Sequence, residues 1–159
     1  MDVLDITTIE QKLKDLGINL PDSNPPAANY IPYTTVGNLV FIAGQTCKWH
    51  GELQYAGKVG EKYSLEEAQK AARLCGLNVL MQIKHACNGN LEKVKKCVRL
   101  GVFLNSTDNF SDQAKVANGV SDLMVEVFGE NGRHVRTTTS SNSLPSQTTV
   151  EVEAVFEVE

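Results

Sequence analysis

Several things are scarce in this chain of 159 residues. Cysteine is limited to Cys47, Cys75, Cys87 and Cys97, and none forms a C-x-x-C pair. That argues against a disulfide framework and predicts reduced thiols in a cytoplasmic protein. The opening residues lack a basic segment followed by an apolar one, so no secretory signal is read there. His50, His85 and His134 are scattered, without the spacing of metal ligands, and no metal site is expected. No apolar run approaches the ~18 residues of a membrane span. Positive charge is also short, with 15 Lys and Arg against 19 Asp and Glu. A general nucleic-acid binder needs a basic surface to displace counterions, so that class is disfavoured.

What is present suits one ordinary domain over residues 1–159 with a helical extension at about 1–20. Hydrophobic residues make up 42% and charged residues 21%, and a domain of this size buries about 68–70% of its unfolded surface without staples. In "TTIEQKLKDLGI", Thr7 and Glu10 have capping-box spacing, Gly17 provides a stop, and Ile9, Leu13 and Leu16 share a helical face. "NLPDSNPPAANYIPY" reads as an irregular connector. "TVGNLVFIAGQT" reads as a hairpin turning at Gly37-Asn38, its apolar run ending at Gly44, where another group can approach the backbone. Residues 48–60 read as a long loop or a poor strand.

"SLEEAQKAARLCGLNVLMQIKHAC" is the clearest helix. Ser64 and Glu67 make a capping box, and Leu65, Ala68, Ala72, Cys75, Val79, Ile83 and Ala86 form its stripe. In "LEKVKKCVRLGVFLN", alternation predicts a strand with Val94, Lys96, Val98, Leu100, Val102 and Leu104 on one face and Cys97 on the other. A second helix follows "STDNFSDQ", with Ala114, Ala117, Leu123, Met124, Val127 and Phe128 as its inner face. Two strands close the chain, separated by Leu144-Pro145. In the last, Val150, Val152, Ala154, Phe156 and Val158 alternate with Glu151, Glu153, Val155 and Glu157, so one face is buried and one polar. Two long helices on one face of a mixed sheet make a two-layer α+β sandwich.

A lone arginine, Arg136, stands in the threonine- and serine-rich strand "HVRTTTSS". Two readings are open. It can pair with Glu151 across neighbouring strands, an interaction of small energetic value. Alternatively its planar, permanently charged guanidinium can hold a ligand carboxylate bidentately. Glu151 can likewise be one more outward strand glutamate, and Tyr30 a packed aromatic.

"VGNLVFIAGQ", the long helix, "VKKCVRLGVFLNSTDNFSDQAKVANGV" and "VRTTTSSNSLPSQTTVEVEAVFEV" together resemble the YjgF/Rid family of imine/enamine deaminases over residues 30–159. The resemblance implies a chorismate-mutase-like fold and a homotrimer with a sheet barrel inside, helices outside and clefts between subunits. It implies that Arg136 grips a substrate carboxylate and that Glu151 positions water or bonds the substrate nitrogen. Tyr30, Asn118 and the Gly44 backbone would line the cleft, and Thr138 stands where family members often carry cysteine. The implied reaction, with no metal or organic cofactor, is hydrolysis of 2-imino or enamine acids such as 2-aminoacrylate and 2-aminocrotonate to 2-oxo acids and ammonia. The alternative is a non-catalytic trimer that binds a small carboxylate metabolite. A ribonuclease, a label some relatives carry, is disfavoured by the acidic charge and the lack of a histidine pair. The N-terminal helix and the added residues near 49–63 mark a longer, divergent subgroup.

Overall fold

The computed structural model describes residues 7–23 and 25–159. A short helix, α1 (Ile9–Asp15), is capped by Thr8, whose side chain accepts from the Gln11 N–H at 3.1 Å. The capping residue is therefore one position later than the Thr7 expected from spacing. Glu10 turns away from the cap and pairs with Lys84 at 2.8 Å, which ties α1 to the long helix.

The strands β1 (Tyr33–Val36) and β2 (Leu39–Thr46) form the expected hairpin, with Gly37 at φ 60° in its turn. β2 continues past Gly44, with its register against the last strand shifted between Ile42 and Gln45. The polar stretch that follows holds a two-residue ribbon, β3 (Lys48–Trp49) and β4 (Glu52–Leu53). Helix α2 (Leu65–Ala86) begins with both bonds of the Ser64–Glu67 capping box. Its stripe is deeply buried from Ala68 to Ile83, while Leu65 and Ala86 at its ends are only partly covered.

β5 (Val94–Asn105) departs from simple alternation. Its register against the last strand shifts between Cys97 and Arg99, the two-against-one pairing of a bulge. One extra residue inverts the phase, so Cys97 joins Leu100, Val102 and Leu104 in the core while Lys96 is exposed and Val98 half-buried. Helix α3 (Gln113–Phe128) buries Val116 and Val120 with Ala117, Leu123, Met124, Val127 and Phe128; Ala114, expected inside, is exposed. β6 (Val135–Ser141) and β7 (Val150–Val158) complete the sheet in the order β1-β2-β7-β5-β6. All neighbours are antiparallel except β5 and β6, which are parallel.

Both long helices cover one face of this mixed sheet, and one apolar cluster fills the space between the layers. Phe156, Leu80, Leu100 and Met124 are among its largest wholly buried side chains. α2 and α3 cross closely because α3 carries Gly119 there. A Cβ built on it would lie 2.2 Å from the Gln69 carbonyl oxygen, which is backbone and cannot swing aside. The opposite sheet face carries the alternating half-buried residues of β7. Among the described residues no helix is long and apolar enough to cross a membrane.

Candidate functional site

Arg136 and Glu151 do not touch. The strands that carry them, β6 and β7, are separated by β5. Arg136 pairs in register with Leu100, a core-facing residue, so its side chain points to the helical layer. Glu151 pairs with Phe103 and alternates with the buried Val150 and Val152, so it points to the open layer. The two candidates therefore lie on opposite faces of the sheet. The reading of an ion pair between neighbouring strands does not hold within the chain.

α3 fixes Arg136 at the sheet edge. Nη1 donates to Asn118 Oδ1 at 2.9 Å and to Ser121 Oγ at 3.0 Å, and Nη2 donates to the Ala114 carbonyl at 3.3 Å. A guanidinium has five N–H donors, and these three bonds leave Nε–H and one Nη2–H without a partner among the described residues. His134 extends the network. Its Nδ1 lies 2.7 Å from the Gly132 carbonyl and its Nε2 2.8 Å from Ser121 Oγ. The carbonyl can only accept, so Nδ1 carries the proton and Nε2 accepts from the Ser121 hydroxyl. Burial lowers the His134 pKa, a bond to the Gly132 carbonyl opposes this, and the nearby Arg136 charge lowers it further. Thr138 is half-buried on the same face two residues on, opposite Val102.

Tyr30, Gly44 and Glu151 come together elsewhere. They line one cavity of about 400 Å³ beneath the proline-rich connector, at the end of β2 that β1 leaves uncovered. Gly44 leaves room for the glutamate in this position: a Cβ there would sit 2.2 Å from Glu151 Oε1 and would make the carboxylate swing aside. Burial raises the Glu151 pKa and the neighbouring Glu153 adds to the rise. Arg99, a cation on that face, is taken by Glu153 at 3.0 Å, while Lys48 lines the same cavity as Glu151. α2 adds two buried amides to the lining, Asn78 and Gln82. Asn78 Nδ2 donates to the carbonyls of Lys48 at 2.8 Å and Leu74 at 3.0 Å, which locks the end of β2 and the start of β3 to the helix.

The six sequence candidates thus form two sets. One is Arg136, Asn118 and Thr138 on the helical side; the other is Tyr30, Gly44 and Glu151 around the cavity. Sequence reasoning missed Ser121, His134 and Gln82. Ser121 follows Asn118 by three residues, so the two share a helical face toward Arg136. Gln82 follows Asn78 by four residues, and two amides beside an apolar stripe are a readable irregularity.

Comparison with known proteins agrees with this architecture. Residues 10–157 match the family model described as "YjgF/chorismate mutase-like, putative endoribonuclease". The Trypanosoma cruzi protein TCP17 is 40% identical over 159 residues, 99% of each chain. The crystal structure of Atu1372 from Agrobacterium tumefaciens, a protein of unknown function, is 41% identical with a TM-score of 0.88, covering 96% of this chain and 94% of that one. A Shewanella oneidensis protein with the same endoribonuclease description is 35% identical with a TM-score of 0.92, covering 95% of this chain and 99% of that one. The chain belongs to the YjgF/chorismate-mutase-like family and has its α+β fold.

Proposed function

We propose that the protein hydrolyses reactive 2-imino and enamine acids to 2-oxo acids and ammonia, at clefts between the subunits of a homotrimer. The observation that carries this reading is the state of Arg136. Three hydrogen bonds to α3 hold it, and the two N–H donors left over are the number a bidentate carboxylate takes. A surface ion pair would need no such scaffold.

In this reading the cleft joins Arg136 of one subunit to the Glu151 cavity of the next. Arg136 holds the substrate carboxylate and so fixes the imine carbon. Tyr30 and the Gly44 backbone line the opposite wall. Glu151 accepts a hydrogen bond from a water and orients it toward that carbon. Water adds across the C=N bond to give a carbinolamine; the C–N bond then breaks, ammonia departs, and the carbonyl of the 2-oxo acid remains. A raised carboxyl pKa suits a group that takes and returns a proton during these steps. Placement of the reactants and hydrogen bonds to the developing charge supply the catalysis. Thr138 stands near Arg136 on the same strand face and shapes the carboxylate end of the cleft.

The endoribonuclease description gains less support. RNA cleavage of the acid–base kind most often uses imidazoles, and among the described residues the Glu151 cavity is lined by none, while His134 beside Arg136 has both ring nitrogens engaged. The test couples the purified protein to a serine or threonine dehydratase and follows 2-oxo acid release while semicarbazide competes for the imine. Wild type accelerates release and Arg136→Ala does not. The variant also binds 2-oxo acids about 10- to 100-fold more weakly, the loss expected for a charged hydrogen-bonded pair. If wild type gives no acceleration but binds 2-oxo acids through Arg136, the protein is a carboxylate-binding module.

A further inference from the structure

Gln82 occupies a place where the helix has no use for an amide. It lies on α2 beside the core residues Val79 and Ile83 and is 3% exposed. Its Oε1 is fully buried and has no hydrogen-bond partner among the described residues. A buried acceptor left unpaired destabilises a protein, and such groups are few in native structures. Asn78, one turn earlier, shows the usual outcome, with its amide nitrogen bonded to backbone carbonyls. Gln82 instead lines the cavity that holds Glu151, Gly44 and Tyr30, and because Oε1 itself is closed off there, a half-turn of the amide is what would bring the oxygen to the cavity wall. That cavity, at about 400 Å³, is within the range of sites for extended small molecules.

We propose that Gln82 is a specificity residue whose side-chain oxygen accepts a hydrogen bond from the substrate's own side chain. The preferred substrates are then 2-imino acids whose side chain ends in a neutral donor, a hydroxyl or a primary amide. The inference rests on the function proposed above and refines it. With the imine carbon beside Glu151, the substrate side chain extends along the same cavity toward α2. A polar-ended side chain satisfies the Gln82 oxygen; an aliphatic one leaves it buried and unpaired, which is how a polar site rejects an apolar analogue.

The test is calorimetry with two 2-oxo acids of equal length, 4-hydroxy-2-oxobutanoate and 2-oxopentanoate, which differ by a hydroxyl in place of a methyl. Wild type binds the hydroxy acid about tenfold more tightly. Gln82→Leu and Gln82→Met erase that preference and keep the affinity for 2-oxopentanoate. Their thermal melts match or exceed wild type, because the unpaired acceptor is gone. Equal affinity of wild type for the two acids, with both lost in Arg136→Ala, overturns the role of Gln82 and leaves the carboxylate reading standing. A preference that depends on Gln82 but ignores Arg136→Ala does the reverse. A preference that survives in both Gln82 variants, with lowered stability, assigns the amide to structural water and overturns the inference. Failure of wild type to bind either acid overturns both readings.

Discussion

Glu151 carries a conflict that a titration can expose. Its carboxyl is partly buried beside Gly44, and burial with Glu153 raises its pKa above the ordinary 4.5. A raised carboxyl pKa means that the folded state holds the proton more tightly than the unfolded state. This contribution to stability is complete below pH 4.5 and is lost as pH rises through the folded value. Glu151→Gln cannot ionise, so it melts above wild type at neutral pH, and the two curves converge below pH 4.5. The side chain keeps some access to water, which holds the gain to about 1–3 °C. Thermal melts across pH check this; a variant less stable than wild type at pH 7 would show that the carboxylate is held by favourable contacts. The same variant should slow imine hydrolysis more than it weakens ligand binding, because a placed water matters only to the chemical step.

At the scale of elements, the crossing of α2 and α3 governs the setting of Arg136. Gly119 lets the helices approach, and its neighbours Asn118 and Ser121 hold the guanidinium. Gly119→Ala presses a methyl group onto the Gln69 carbonyl and costs about 1–3 kcal/mol, the usual range for overpacking. Denaturant unfolding reads that loss; an unchanged midpoint would mean that the helices part freely. Much at this scale was legible in sequence. The capping box at Ser64, the stripe of α2 and the alternation of β7 are local signals with one reading each. The bulge in β5 was not legible, because an added residue leaves no mark in composition, and it moved Cys97 to the core face. The relation of Arg136 to Glu151 was hidden for a different reason. The strands are consecutive in the chain, yet β7 inserts between β2 and β5, so adjacency in sequence did not become adjacency in the sheet.

For the whole molecule, the open face of the sheet is the surface to explain. Val36 and Phe41 are 64% and 43% exposed on it, and Val155 lies beside Phe41. In the proposed trimer this face turns inward and the apolar residues are covered by other subunits, as contiguous apolar patches usually are. Light scattering should then return three times the 17.4 kDa of the chain. In the proposed trimer one catalytic site takes its arginine and its glutamate from different chains, since a single chain holds them on opposite sheet faces. Subunit mixing probes this sharing. Arg136→Ala and Glu151→Gln should each retain little activity in the coupled imine assay. Unfolded together in equal amounts and refolded, they should recover up to about a quarter of wild-type activity, the fraction of interfaces in a random trimer that bring two intact residues together. A mixture as inactive as its components, while refolded wild type regains its activity, would contradict the shared site.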